Sequence, residues 1–212
     1  FNFNLYDAAF EAFTQEGVSF DRLKKSLESS LTYYGYHHLM GNISGNQDKP
    51  RFASMASGHL SPAEDSKLAG WTREIPEATE RGFRKMACMH AFNIAVPGIP
   101  IIYYGDEIAM HGGNDPDNRK MMRFNDHNAR EKALWEQTAE LIHLRRNSMA
   151  LNYGGTDIYQ PEANVLVIER QFANEYVRFF FNNNSKEVTL EKWGVTVPAD
   201  NFTYQTEILE RE

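Results

Sequence analysis

The stretch VPGIPIIYYGDEIAMHGGNDPDNRKMM, residues 96–122, decides how the chain is read. Pro97-Gly98 ends any preceding helix, because proline lacks a backbone N–H and glycine enters conformations closed to other residues. Ile99 to Tyr104 then runs apolar without a break, as a strand buried on both faces does. Residues 105–128 follow as a long polar loop at that strand's C-terminal end, where parallel α/β folds meet their ligands. Immediately upstream, Phe83, Met86, Ala87, His90, Ala91 and Ile94 recur at helical spacing, which predicts a helix from Glu77 to about Ile94.

Working outward, His37 to Ser44 reads as a second buried strand, followed by the polar turn GNQDKP. The alternation Phe1-Asn2-Phe3-Asn4 predicts a short strand already in progress at the first residue. Leu5, Tyr6, Ala9, Phe10 and Phe13 predict a helix that Gly17 stops. Ser19 is the expected N-cap of another, with Phe20, Leu23, Leu27 and Leu31 on one face and Gly35 beyond its end. Residues 56–76 show no period and read as a long loop. Asn128 is the expected cap of a helix running to about Asn147. After Gly154-Gly155 the texture becomes β-rich, in Asn164–Arg170, Tyr176–Phe181, Glu187–Glu191 and Phe202–Leu209. Strands alternating with helices predict an α/β part with a parallel sheet over residues 1–150. A small antiparallel β module is expected over 151–212, with the boundary near 150–153.

Composition narrows the function. The 212 residues are 42% hydrophobic, enough for a packed core. Twenty-two basic against 29 acidic residues leave a net charge of −7, unlike the basic footprint of a nucleic-acid binder. No apolar run approaches the ~20 residues that span a bilayer, so neither nucleic acid nor membrane is expected as a partner. The single cysteine, Cys88, can form no internal disulfide and no thiolate metal site. The histidines show no metal-ligand spacing, and no glycine-rich nucleotide cradle or nucleophile elbow occurs.

Two polar clusters sit where the strand rule places a site. Asn46-Gln47-Asp48-Lys49-Pro50-Arg51 follows the first buried strand; spacing alone favours an ordinary turn whose Asp48 and Arg51 are solvated or paired with each other. Asp106 and Glu107, with Asp115, Asp117 and Arg119, follow the second. Their acidic spacing is partly that of a calcium loop, but DPDNR lacks the glycine and terminal glutamate of the EF-hand. A carboxylate beside a guanidinium suits vicinal sugar hydroxyls, since acceptor and donor converge on one polar ligand. An ordinary turn with surface ion pairs has the same residues. Trp71, inside the long polar loop, is the aromatic least suited to a core.

Together, FNFNLYDAAFEAF, GNISGNQDKPRFAS and VPGIPIIYYGDEIAMHGGNDPDNRKMM resemble, in order and spacing, the C-terminal part of the α-amylase family of glycoside hydrolases. Within that family the chain is similar to the bacterial neopullulanase, maltogenic amylase and cyclomaltodextrinase branch. The resemblance covers roughly residues 1–150. It implies the last three strands of a (β/α)₈ TIM barrel, at residues 1–5, 37–44 and 99–104, followed by an all-β antiparallel sandwich domain. It matches Asp48 to the family's third catalytic carboxylate, which binds sugar hydroxyls and helps stabilise an oxocarbenium-like transition state. Asn46 and Gln47 fall in the same motif as substrate-binding positions, and Arg51 where arginine commonly follows the proline turn. Asp115 and Arg119 match the pair that grips the non-reducing side of the substrate. Asp106 and Glu107 match a structural turn.

Two departures accompany the resemblance. The motif is usually Asn-His-Asp; here Gln47 stands in the histidine position, where an amide donor keeps part of the contact without the ring's geometry. Retaining glycosidases also need a nucleophile and an acid about 5 Å apart, which this family carries on earlier barrel strands. Neither segment occurs in the 212 residues. The expectation is therefore a C-terminal portion of an enzyme cleaving α-glucosidic bonds of starch-like glucans or maltodextrins, inactive by itself. An amylase-like carbohydrate-binding protein without catalysis is the alternative. No cofactor is required by this chemistry; calcium is compatible with the family, although no ligand set is legible. A partial barrel would leave strand edges open, to be covered by the missing N-terminal barrel part or another copy. Cytoplasm and periplasm both remain open as compartments.

Overall fold

The computed structural model describes residues 1–209. Helix α1 (Phe3–Thr14) and helix α2 (Asp21–Tyr34) pack against each other, ahead of strand β1 (Gly41–Ile43). Two short helices, α3 (Phe52–Ala56) and α4 (Ser66–Thr72), precede α5 (Glu80–Ala95) and strand β2 (Ile99–Ile101). Strands β1 and β2 pair in parallel, with Gly41 opposite Ile99 and Ile43 opposite Ile101. Single 3₁₀ turns at Asp106–Ile108 and Asp117–Arg119 punctuate the next loop, which leads into α6 (Ala129–Asn147) and α7 (Met149–Tyr153).

The β part follows: β3 (Gly155–Glu162), β4 (Val165–Phe172), β5 (Glu175–Asn182), β6 (Val188–Leu190), β7 (Val195–Val197) and β8 (Asn201–Ile208). Four of them form an antiparallel sheet in the order β3-β4-β5-β8, while β6 and β7 pair as a separate hairpin. Alternation along a strand sends successive side chains to opposite faces. Leu166, Ile168, Val177, Phe179 and Phe181 therefore join the helices in one apolar core with Phe13, Phe20, Met89 and Phe92. Val165, Val167 and Phe180 face the other way, onto Leu190, Val195 and Val197 of the hairpin. The central strands are buried on both sides, a helical layer on one and a hairpin on the other.

Polar side chains stitch the sheet to the helices. Lys85, fully buried, reaches Asp200 Oδ1 at 2.6 Å and donates to Asn183 Oδ1 at 2.8 Å. The Asn183 amide donates in turn to the carbonyls of Ala12 and Val18. Arg170 donates to the carbonyls of Ala95, Gly154 and Gly155, and Arg145 to those of Ile94, Val96 and Gly98. Buried guanidinium groups are costly unless every donor finds an acceptor, and these end the α5–β2 connection with fixed geometry.

Several sequence expectations need correction. Residues 1–5 are not a strand: Asn2 is the N-cap of α1, its side chain accepting from Leu5 N, and the helix begins at Phe3. The apparent alternation runs opposite to a buried strand, since Asn2 is buried on Ser30 while Phe1 and Phe3 are exposed. One backbone bond, Asn2 N to Gly41 O, joins this segment to β1. Strands 37–44 and 99–104 contract to three residues each. Residues 56–76 contain α4, which seven residues and one buried side chain, Ala69, left without a visible period. Helix α2 starts at Asp21 with Phe20 at the cap position, although Ser19 Oγ still accepts from Asp21 N. Asn128 does cap α6, in a complete capping box with Glu131. Strands β3 and β7 were not anticipated.

Candidate functional site

The β1 and β2 strands each feed a polar loop, and the two loops meet. In the first, Asn46 Oδ1 accepts from Asp48 N at 2.8 Å, a side-chain-closed turn that presents Gln47 and Asp48 to solvent. The Gln47 amide donates to Asp48 Oδ2 at 2.9 Å. In the second, Arg119 reaches across 71 residues of sequence: Nη2 lies 3.2 Å from Asp48 Oδ1, and Nε donates to the Gln47 carbonyl at 3.1 Å. Arg119 Nε also lies 3.1 Å from Asp115 Oδ1, whose other oxygen is 3.5 Å from Lys67 Nζ on α4. Lys67, Asp115, Arg119 and Asp48 thus form a line of alternating charge. Asp48 and Arg119 keep 67% and 44% of their side chains exposed, so both can exchange each other for a ligand. An exposed pair of this kind holds the fold by less than about 1 kcal/mol. Its groups are available for binding.

Beneath this line lies a dry tier. Arg51 is 1% exposed at its side chain and pairs with Asp106, 2% exposed, at 3.1 Å. Its remaining donors go to the carbonyls of Asn118 and Tyr104 and to Met110 Sδ, and its plane lies over the rings of Tyr103 and Tyr104. Asp106 also accepts from Ser44 Oγ at 2.6 Å, directly after β1. Burial pushes the Asp106 carboxyl up to about 6, against the opposing pull of Arg51 and of the Ser44 hydroxyl. Asn118, buried, donates from one amide nitrogen to the carbonyls of Gln47 and Lys49, which fixes the height of the Asp48 turn.

The loop carrying Asp115 is anchored with equal care. Arg51 N donates to Gly112 O, Gly112 N to Ser54 Oγ, and Gly113 N to Asp117 Oδ2. Backbone approach is closest at Gly113, where an added Cβ would stand 2.5 Å from the Ser66 carbonyl. Only glycine permits α4 to lie that near.

The structure brings Asn46, Gln47, Asp48, Asp115 and Arg119 together at one surface. Arg51 is the exception among the expected substrate-binding residues. Its guanidinium lies under the site with every direction filled by protein, so it braces both loops and presents nothing to a ligand. Asn118, Ser44 and Lys67 were not foreseen: the first two act through buried amide and hydroxyl groups, and Lys67 stands on a helix without a sequence signal. Among the described residues no group of three or more His, Cys, Asp or Glu is placed to hold a metal ion. No helix of the described residues is long and apolar enough to cross a membrane.

Comparison with known proteins shows that the chain belongs to the α-amylase family, as a C-terminal portion. The chain is 30% identical over 220 residues to a cyclomaltodextrinase of Geobacillus thermopakistaniensis, an alignment taking in 98% of this chain and 33% of that protein. It is 36% identical over 123 residues to a cyclomaltodextrin glucanotransferase of Geobacillus stearothermophilus, covering 58% of this chain and 17% of that one. An Anoxybacillus α-amylase crystal structure superposes with a TM-score of 0.76 at 22% identity, over 99% of this chain and 47% of the amylase. The Geobacillus thermoleovorans α-amylase solved with acarbose gives 0.75 at 22% identity, over 98% and 47%. No protein-family model matches. The chain spans about a third of the length of its cyclomaltodextrinase relatives.

Proposed function

We propose that this chain is the C-terminal portion of a glycoside hydrolase that cleaves α-glucosidic bonds of maltodextrins with retention of configuration. The observation that supports it most is the Asp48–Arg119–Asp115 line, built from two loops that each follow one of a parallel pair of strands. Asp48 would accept hydrogen bonds from hydroxyls of the sugar being cleaved, and its negative charge would stabilise the oxocarbenium-like transition state. Arg119 holds that carboxylate in place when the site is empty and, with Asp115, offers paired donor and acceptor groups to a neighbouring sugar. Asn46 shapes the turn, and the Gln47 amide supplies a donor beside Asp48.

In this reading residues 1–150 are the end of a (β/α)₈ barrel and residues 151–212 an antiparallel β-sandwich. The nucleophile and the general acid lie outside these 212 residues, so the chain by itself does not turn over. The remaining barrel, or another copy of the chain, covers the free edges of β1 and β2. The test is Asp48→Asn in the full-length protein, assayed on maltodextrins, where kcat should fall about 10²–10³-fold while thermal stability holds. A variant keeping kcat within about threefold of wild type would remove Asp48 from the chemistry.

One observation favours a second reading. One of the two N–H donors of Gln47, in the position where histidine is usual, goes to Asp48 itself. A carbohydrate-binding protein without catalysis would tolerate this. Full-length protein that binds maltodextrins and releases no reducing ends would establish it.

A further inference from the structure

Helix α4 belongs to a small unit of its own. Ala69 and Ile75 pack with Leu60 and Met55, Asp65 caps the helix through Lys67 N and Leu68 N, and Arg73 closes it onto Glu64 and the His59 carbonyl. This unit is pressed against the loop of Asp115. Asn114 N donates to Ser66 O at 3.1 Å, and a Cβ on Gly70 would come within 2.8 Å of Asp117 Cβ. At 100° per residue, Ala69 turns to the small core and Gly70 to the loop, leaving Lys67 and Trp71 side by side at i and i+4. Lys67 meets Asp115 at 3.5 Å. Trp71 is 68% exposed, a large apolar face that the fold does not use.

We infer that Trp71 and Lys67 form an additional sugar subsite, which continues the Asp48–Arg119–Asp115 line by one more glucosyl unit of a longer α-glucan. The inference rests on the glucan reading above. Its physical basis is that an indole face packs against the apolar face of a pyranose ring, while an ammonium beside it donates to the ring's hydroxyls. Lys67 ties this surface to the gripping pair, and the flush packing at Gly70 and Gly113 keeps it at fixed distance from them. The α4 unit therefore sets chain-length preference.

The test uses the full-length protein and two substrates, maltotriose and maltoheptaose. In Trp71→Ala the ratio of kcat/KM on maltoheptaose to that on maltotriose should fall about fivefold to tenfold, and Trp71→Phe, which keeps an aromatic face, should restore most of it. Lys67→Met should lower the same ratio less. An active wild type whose ratio is the same in Trp71→Ala overturns the subsite and leaves the glucan reading standing. A wild type that neither binds nor cleaves either sugar overturns both. Should the protein bind without turnover, the ratio of the two dissociation constants replaces that of kcat/KM, with the same expected change and the same overturning result.

Discussion

Arg51 and Arg119 make nearly the same contact, a guanidinium 3.1–3.2 Å from a carboxylate, on adjoining loops. Their surroundings reverse its meaning. Around Arg51 and Asp106 water is excluded, both residues are filled with protein partners, and removing either would strand the other as a buried charge. Around Asp48 and Arg119 water competes for every hydrogen bond, so the pair contributes little to the fold and remains free to re-partner. A binding site needs both kinds of pair. The dry pair fixes where the loops stand, and the wet pair leaves its groups open to a ligand.

The strongest way to break this contrast is Arg51→Met. It leaves Asp106 unpaired in a dry site and should cost about 3–5 kcal/mol of stability, read as a lower urea midpoint. A loss below about 1 kcal/mol would place Arg51 with the surface pairs instead. Arg119→Ala should do the opposite. Stability changes by less than about 1 kcal/mol, whereas maltodextrin binding or kcat/KM falls about tenfold or more, compared by calorimetry and steady-state assays.

His90 extends the comparison to a buried group without a counter-charge. Burial pushes its imidazole down to about 3, and its Nδ1 meets Thr138 Oγ1 at 2.9 Å. Its folded pKa lies below the unfolded one near 6.5, so the unfolded chain takes up a proton first and stability drains as pH falls below about 6.5. Asp106 works the other way: with its folded pKa raised to about 6, the native state binds the proton first, and acid costs it nothing in that range. In His90→Gln the acid penalty should vanish. The wild-type advantage over the variant shrinks by about 2 kcal/mol between pH 7 and 5, and a difference independent of pH would contradict it. The smallest effect is expected at the wet pair's neighbour. Gln47→His should shift kcat/KM among α-glucans by only about twofold to tenfold, and an unchanged product pattern would show that the amide does not touch sugar.

Legibility followed local signal. Asn128 and Glu131 form a capping box three residues apart, so the start of α6 could be read directly. The alternation of Phe1 to Asn4 pointed to a strand because nothing local says that Asn2 is needed inside, on Ser30 and at the head of a helix. Strand β3, with Gly155 and Pro161 among its eight residues, and β7, with three, carry too little pattern to stand out. At the site, both clusters could be found because each follows an apolar run. Their meeting could not be read from spacing, since Asp48 and Arg119 are 71 residues apart. The burial of Arg51 could not be read from the sequence, because a charged residue is ordinarily solvated and only the aromatic and carbonyl cage around it makes its burial tolerable.

The seam between helices and sheet sets an order of events. Asn183 closes the end of α1 by accepting nothing from its neighbours in sequence and donating instead to Ala12, 171 residues earlier. Asp200 gathers Arg81, Arg84 and Lys85 from one turn of α5. These are contacts of very long sequence separation, the kind that form late because a large loop must close first. Until the β5–β8 region arrives, Phe13, Phe20 and Phe92 have no covering layer and Lys85 no acceptor. During synthesis the loops of Asp48 and Arg119 thus wait, unbraced at their far side, for strands that carry no residue of either loop.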